Sequence, residues 1–129
     1  MNSEPKKQFV ISEHTTPTGA HWDLMLEMDD TLWTWRLKIP PAEIKNEPIG
    51  AERISDHPLR FLTYEGPVQN STGRVKIADK GPCQIIEQTE NTLVFESQGT
   101  ILKGTFSLSK TQNTSLWTLK PTLSNQKNR

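Results

Sequence analysis

Residues 20–38 read AHWDLMLEMDDTLWTWRLK, two runs in which apolar and polar side chains alternate on either side of Asp29-Asp30. Alternation with a period of two is typical of a β-strand with one buried face, and a two-residue break between such runs favours a hairpin loop. That loop places three apolar pairs opposite one another: Leu26 with Trp33, Leu24 with Trp35, and Trp22 with Leu37. The segment therefore predicts a hairpin whose tryptophans belong to a core, rather than serving as stacking platforms for bases.

The opposite face of the first strand carries His21 and Asp23 as neighbours, because every second side chain of a strand points the same way. The register of the hairpin sets Asp23 opposite Arg36 and His21 opposite Lys38. Two cations then share a face with an imidazole and a carboxylate. This combination is typical of an anion-binding site.

The rest of the chain also favours β-structure, since no stretch repeats apolar residues at every third and fourth position. Turn-forming pairs separate the alternating runs: Pro40-Pro41, Gly66-Pro67 and Gly81-Pro82. The candidate strands are residues 8–12, 20–28, 31–38, 60–64, 73–78, 83–87, 92–96, 101–108 and 116–120. We expect an all-β fold, a small closed or partly open β-barrel with one or two short helical turns, one of them within the connection of residues 41–49.

Composition limits both the architecture and the partners of the chain. A length of 129 residues supports one core, which we place in a single domain of residues 9–120 between flexible tails, 1–8 and 121–129. Fifteen basic residues balance fifteen acidic ones, so any contact with nucleic acid must be local. The sequence shows no long apolar run and no signal peptide, and its lone Cys83 excludes an intrachain disulfide. We expect a cytoplasmic protein with no membrane partner.

A third candidate ligand precedes the hairpin. The loop with Pro17 and Gly19 lets the chain fold back, so that His14 can approach His21 and Asp23. Imidazole nitrogens and a carboxylate oxygen suit a divalent ion such as manganese, zinc or iron, and three protein ligands leave positions open for water and substrate. Each histidine alone is also compatible with a hydrogen-bonded or half-exposed side chain.

A second cluster contains the remaining histidine. The stretch RISDHPLRF of residues 53–61 places Asp56 before His57 and Pro58 after it. His57 is a candidate phosphate ligand or general acid, since an imidazole beside a carboxylate can be oriented for either task. The alternative is a polar turn that precedes a strand.

Taken together, these motifs resemble the 3′-phosphoesterase domain of bacterial DNA ligase D. The resemblance is carried by FVISEH ending at His14, HWDLMLEMD beginning at His21, Trp35, DHPL of residues 56–59 and Glu65-Gly66. It implies a compact β-barrel enzyme, commonly manganese-dependent, that removes a terminal ribonucleoside and then a 3′-phosphate from nucleic-acid ends. Here we expect a free-standing version, without polymerase or ligase.

The resemblance also implies roles for individual residues. His14, His21 and Asp23 match the metal ligands of the family, which hold a divalent ion, here Mn²⁺ or Zn²⁺. His57 matches its phosphate-contacting histidine, and Arg53 matches a basic residue just upstream.

Two departures from the family pattern affect phosphate binding. Met25 stands where the family has an arginine that grips the phosphate, and Phe61 stands where it has a tyrosine. Arg36, at a position usually filled by a small residue, lies diagonally across the hairpin from Met25, so we expect its guanidinium to replace the missing one. The spacing of the first histidine pair is one residue wider than in the family, and the segment of residues 69–73 is shorter.

The resulting hypothesis is a metal-dependent phosphoesterase, a hydrolase of DNA repair. Its catalytic residues would be His57, Arg53 and Arg36, and Lys38, Arg53 and His57 would contact the substrate. That substrate would be the 3′ end of DNA or of an RNA–DNA primer, and partners would include separate ligase, polymerase or end-binding repair proteins.

Two alternatives remain open at this point. The first is a catalytically weakened module that binds nucleic-acid ends or a repair partner, as the replacements at Met25 and Phe61 would suit. The second is an iron oxygenase in which His21, Asp23 and His57 form a two-histidine, one-carboxylate triad. In that case His14 is not a ligand.

Overall fold

The computed structural model describes residues 7–68 and 73–122, which form strands and two short 3₁₀ helices. The strands are β1 Lys7–Thr16, β2 Gly19–Met28, β3 Thr31–Leu37, β4 Ile49–His57, β5 Gly66–Pro67, β6 Arg74–Gln88, β7 Thr92–Gln98, β8 Lys103–Lys110 and β9 Leu116–Pro121. Most of both predicted tails lies outside the described residues, although β1 already begins at Lys7. No helix in the described part of the chain is both long and apolar enough to span a membrane.

The strands form one closed antiparallel barrel. Hydrogen bonds join them in the order β1-β2-β3-β4-β9-β8-β7-β6, and β6 pairs again with β1 to close the ring. The two-residue strand β5 pairs with the first two residues of β6. The prediction of an all-β barrel with short helical turns is therefore confirmed.

The β2–β3 hairpin has the predicted register. Trp22 pairs with Leu37, Leu24 with Trp35 and Leu26 with Trp33, and Asp23 lies opposite Arg36. Asp29, the first loop residue, has a φ of 37°, the left-handed conformation that tight hairpin loops require. Lys38 lies just beyond the end of β3, so its predicted pairing with His21 is not part of the ladder.

The interior of the barrel is filled by apolar side chains. Leu24, Leu26 and Trp35 are completely buried there, and Trp35 meets Trp117 edge to face with ring centroids 5.5 Å apart. Trp22 and Trp33 are half-buried against the same core. The assignment of the three hairpin tryptophans to the core is thus confirmed, with Trp35 at its centre.

A second, smaller apolar cluster lies on the outside of β1, β2 and β3. Val10, Met25 and Leu32 are buried in it, beneath a cover that includes Phe61 from the 3₁₀ helix Leu59–Leu62. The predicted strand 60–64 is therefore wrong. Backbone N–H groups there donate to carbonyl oxygens three residues earlier, from Phe61 to Pro58 and from Thr63 to Arg60. This tight turn lets neighbouring apolar side chains reach the same outer cluster.

Strand β4 was not predicted from the sequence. Residues 41–49 contain the expected short helix, Pro41–Glu43, but a strand follows it where the sequence predicted none. The strand has no apolar alternation, because its interior face presents the small Ala51 and the charged Arg53. Its backbone is held by pairing with β3 and β9.

Strand β6 runs without interruption through Gly81-Pro82, where the sequence predicted a break between two strands. The first part of β6 pairs with β1 and the last part with β7, and Pro82 lies one residue before the first β7 pair, at Cys83. A side chain at Gly81 would put its Cβ 2.3 Å from the carbonyl oxygen of Gln98. Glycine is therefore required at Gly81, near the point where the pairing partner of β6 changes from β1 to β7.

Asp79 holds the loop between β7 and β8 against β6. Its buried carboxylate accepts hydrogen bonds from the backbone N–H groups of Thr100 (2.9 Å), Ile101 (3.2 Å) and Leu102 (2.6 Å). Gly99 permits this approach, since a Cβ there would lie 2.5 Å from Asp79 Oδ2.

Replacing Asp79 with alanine should destabilise the barrel by about 3 kcal/mol, because three backbone donors lose a charged acceptor. Urea unfolding followed by tryptophan fluorescence measures the loss. Asp30→Ala, in the exposed hairpin loop, is the control and should change the free energy of unfolding by less than about 0.5 kcal/mol. Equal stability of the two variants would contradict the anchoring role of Asp79.

Cys83 should react very slowly with thiol reagents in the folded protein. Burial raises the pKa of its thiol to about 11, and the Glu27 carboxylate acts in the same direction. At pH 8 only about one thiol in a thousand is then ionised. Labelling with dithiodipyridine should be slow in buffer and rapid in urea, and rapid native labelling would contradict this environment.

Candidate metal centre

The pairing of β1 with β2 brings the three predicted ligands to one face. His14 lies directly opposite His21, and Ser12 lies opposite Asp23. Because alternate residues of a strand share a face, all four side chains are on the outside of the barrel, behind the buried ladder of the hairpin.

The ligand atoms of the three residues converge. His14 Nδ1 lies 3.2 Å from His21 Nε2, and His21 Nε2 lies 3.6 Å from Asp23 Oδ2. One ligand atom from each residue falls within 4.8 Å of the others. Both histidines are half-buried and Asp23 is buried, so the group is shielded yet open on one side.

These separations suit a divalent ion. Bonds of about 2.1 Å to a first-row metal place adjacent ligand atoms about 3.0 to 3.4 Å apart. Two imidazole nitrogens and one carboxylate oxygen at such spacing are a recognised ligand set for manganese, zinc or iron, with positions left for water and substrate. The residues therefore fit the metal that the sequence predicted.

The surroundings keep His21 in the form that binds metal. Burial lowers the pKa of His21 below its usual 6.5, and the neighbouring Arg36 and His14 act in the same direction, against the opposing Asp23 carboxylate. The ring is therefore neutral at pH 7, and a neutral imidazole can coordinate without first losing a proton.

Arg36 orients the carboxylate. Its Nε lies 3.3 Å from Asp23 Oδ1 across the β2–β3 pair, while Asp23 Oδ2 faces His21. Within the described residues this is the one hydrogen bond of Arg36, and its side chain is 39 % exposed. The guanidinium thus fixes one oxygen of Asp23 and stays accessible from solvent.

Ser12 is a residue of the site that the sequence analysis missed. It is completely buried opposite Asp23, and its Oγ has no hydrogen-bond partner among the described residues. An unpaired buried hydroxyl is costly unless water or another group completes it. Its position two residues before His14, on the same strand face, was the signal that could have identified it.

Gly73 is a second residue that sequence reasoning missed. A Cβ there would lie 2.9 Å from His14 Nε2 and 2.3 Å from the Thr15 carbonyl oxygen, and its φ is +109°. A glycine is therefore needed where the chain enters β6 beside the imidazole.

His57 lies on the same outer face, farther along the hairpin. Its Nδ1 is 3.1 Å from the Ser55 carbonyl oxygen and 3.1 Å from Thr34 Oγ1, and that hydroxyl donates to Leu32. Since the carbonyl can only accept, Nδ1 carries the hydrogen. Nε2 is therefore the ring nitrogen left for a substrate.

The structure separates His57 from the metal ligands. Thr34 pairs with Met25, two residues or about 7 Å along β2 from Asp23. The ligand group in the described chain consists of His14, His21 and Asp23, and His57 is not among them. The triad required for an iron oxygenase is not formed.

Arg53 is not brought to this face. It lies opposite Trp35, whose side chain is in the core, and its guanidinium stacks 4.8 Å from the Trp35 ring and 5.0 Å from the Trp33 ring. It also donates to the Ile54 carbonyl oxygen and lies 3.4 Å from Asp56. These contacts turn it toward the barrel interior, away from Asp23.

Both departures from the family pattern belong to the outer apolar cluster. Met25 is 1 % exposed in it, and Phe61 packs on it and meets the His57 ring edge to face at 5.3 Å. The wall where the family carries an arginine and a tyrosine is therefore apolar here.

Lys38 lies on the side of the centre opposite the apolar wall of Met25 and Phe61. It borders a groove of about 610 Å³ that begins at His21 and Arg36 and continues toward β4 and β9. Lys38 was predicted from the sequence as a substrate-contacting residue, whereas the groove was not predicted.

Most of the chain matches one known protein family. The family model described as the DNA Ligase D 3′-phosphoesterase domain matches residues 12–110, a span that contains every candidate site residue. A comparison with curated proteins finds no match.

Removing a ligand should abolish metal binding without unfolding the barrel. We expect His14→Ala and Asp23→Ala each to weaken Mn²⁺ and Zn²⁺ binding by about a hundredfold or more, since even supporting residues of metal sites contribute up to that factor. Isothermal titration calorimetry measures the affinity. His57→Ala is the matched control and should bind as the wild type does; an equal loss in this variant would contradict the ligand assignment.

Proposed function

Because the chain belongs to the DNA ligase D 3′-phosphoesterase domain family, we propose that it is a divalent-metal-dependent phosphoesterase that trims the 3′ ends of nucleic acid in DNA repair. It would remove a 3′-ribonucleoside and a 3′-phosphate. The observation that best supports this proposal is the convergence of His14, His21 and Asp23 beside the guanidinium of Arg36. The substrate would be the 3′ end of DNA or of an RNA–DNA primer.

The three ligands would hold Mn²⁺, as the family resemblance implies, or Zn²⁺. A divalent ion bound there would supply Lewis acidity toward the phosphoryl oxygens. Arg36 keeps Asp23 oriented for this task through the bond to Oδ1.

Arg36 would also bind the phosphate. The Nε group is used by Asp23 and the side chain is partly exposed, so the Nη groups are available to donate to two phosphoryl oxygens. This is the charge that Met25 does not supply. Lys38, at the rim of the same groove, adds a second cation.

His57 would contact the phosphate from the side opposite Arg36 and Lys38. With Nδ1–H held by Thr34 and Ser55, its Nε2 is the ring atom that would contact a phosphoryl or leaving oxygen. Arg53 would act as a positioning residue, because its bonds to Ile54 and Asp56 fix the segment that ends at His57.

The apolar wall around Met25 and Phe61 favours one alternative, a module that binds nucleic-acid ends or a repair partner with little turnover. Arg36, the cation beside Asp23, supports the enzyme hypothesis instead, because it would supply a phosphate contact at the centre. In either case we place the protein in the cytoplasm, alongside separate ligase, polymerase or end-binding repair proteins.

The decisive experiment is turnover of labelled primers that end in a 3′-phosphate or a 3′-ribonucleotide, with Mn²⁺, Zn²⁺ or Mg²⁺. We expect metal-dependent release of phosphate and nucleoside. Tight binding of the ends without turnover in any metal would overturn the enzyme in favour of the binding module.

Arg36→Ala should lower kcat on the 3′-phosphate primer by about a hundredfold or more, as loss of a transition-state charge contact does. Lys103→Ala, an exposed cation on β8, should leave kcat unchanged. Calorimetry with Mn²⁺ separates loss of metal from loss of phosphate contact, and a near-normal rate with Arg36→Ala would refute its role.

A further inference from the structure

The groove beside the candidate metal centre follows one cross-strand row around the barrel. Asp23 on β2 pairs with Arg36 on β3, Arg36 pairs with Glu52 on β4, and Glu52 pairs with Leu116 on β9. Adjacent strands lie about 4.8 Å apart, so the row extends about 14 Å from the metal ligands. This length and the groove volume of about 610 Å³ are those of a site for a small organic ligand.

The chemistry of the groove changes along this row. Its end at the metal centre has two cations, Arg36 and Lys38, and its far end has the 48 % exposed Leu116. Between them lies one carboxylate, that of Glu52. A single anionic group therefore suits the near end, and an uncharged, flat apolar group suits the far end.

Room in the groove depends on Gly50. This residue shares the outer face with Glu52, and a Cβ there would meet Leu116 Cδ1 at an ordinary 3.6 Å. Its backbone conformation does not require glycine, in contrast to Gly73. The missing side chain thus opens space above the sheet and serves no turn.

We propose that this groove binds the nucleoside that carries the phosphate at the metal centre. The phosphate lies against Arg36 and Lys38, the sugar beside Glu52, which accepts a hydrogen bond from a hydroxyl, and the base against Leu116. This inference rests on the proposed function and adds the direction of the substrate, toward β9.

The charge pattern favours a nucleoside over other anionic ligands. A polyphosphate would set a second phosphate against the Glu52 carboxylate, and a duplex would need more cations than the groove offers. On the opposite side of the centre, the cluster around Met25 and Phe61 is already packed with the protein's own side chains.

The test uses binding, so that it does not depend on turnover. The probe is a fluorescein-labelled tetranucleotide that ends in a non-hydrolysable 3′-phosphonate, and anisotropy with Mn²⁺ gives its affinity. Gly50→Phe fills the groove and should weaken binding at least tenfold. Gln84→Phe, which places the same phenyl ring at an exposed position of β6 on the far side of the barrel, should bind as the wild type does.

A second variant guards against misfolding. Leu116→Asp places a charge at an exposed position where the base should lie, and it should also weaken the probe at least tenfold. Calorimetry should give the same Mn²⁺ affinity for all variants.

Unchanged probe affinity in both groove variants would overturn the inference while leaving the metal centre and the proposed function in place. Failure of the wild type to bind Mn²⁺ or to act on any 3′ end would instead overturn the proposed function.

Discussion

The pairing of β2 with its two neighbours determines the position of every group in the candidate centre. The β1–β2 register sets His14 against His21, and the β2–β3 register sets Asp23 against Arg36. A slip of one residue would exchange the two faces of β2 and turn the ligands into the core. The large interior side chains, with Trp35 at the centre, oppose such a slip, since it would expose them to water. The chemistry on the outside is therefore fixed by the packing on the inside.

The same outer face is divided into regions of different character. The ligands and Arg36 occupy its middle, the cluster of Val10, Met25 and Leu32 fills one side, and the groove toward Leu116 opens on the other. The buried Met25 thus faces the apolar side, and the half-exposed Arg36 lies between Asp23 and the groove. Under the proposed function, the phosphate-binding charge would lie on β3, at Arg36, and the groove opens beside it.

The sequence predicted what local pattern encodes and missed what depends on distant pairing. The β2–β3 hairpin and its register followed from alternation around a two-residue loop, and the approach of His14 to His21 followed from the loop with Pro17 and Gly19 between them. Strand β4 was missed because Ala51 and Arg53 give it no alternation, and residues 60–64 were wrongly assigned because Phe61 and Leu62 pack from a 3₁₀ turn. Arg53 was placed at the site by resemblance, yet the backbone turns it toward Trp35. The groove was beyond sequence analysis, since Gly50 and Leu116 meet only when β4 pairs with β9.

Closure of the barrel has a further effect on how copies of this protein meet in a crowded solution. With no net charge, the molecules have little electrostatic repulsion to hold them apart. A sheet with open margins would then recruit strands from neighbouring copies. In the described chain every strand of the ring pairs with two neighbours, and the added β5 is two residues long and ends in a proline, which lacks the N–H needed for a ladder. Closure of the ring, rather than net charge, therefore opposes strand pairing between copies. The surface charges do not have to supply that repulsion.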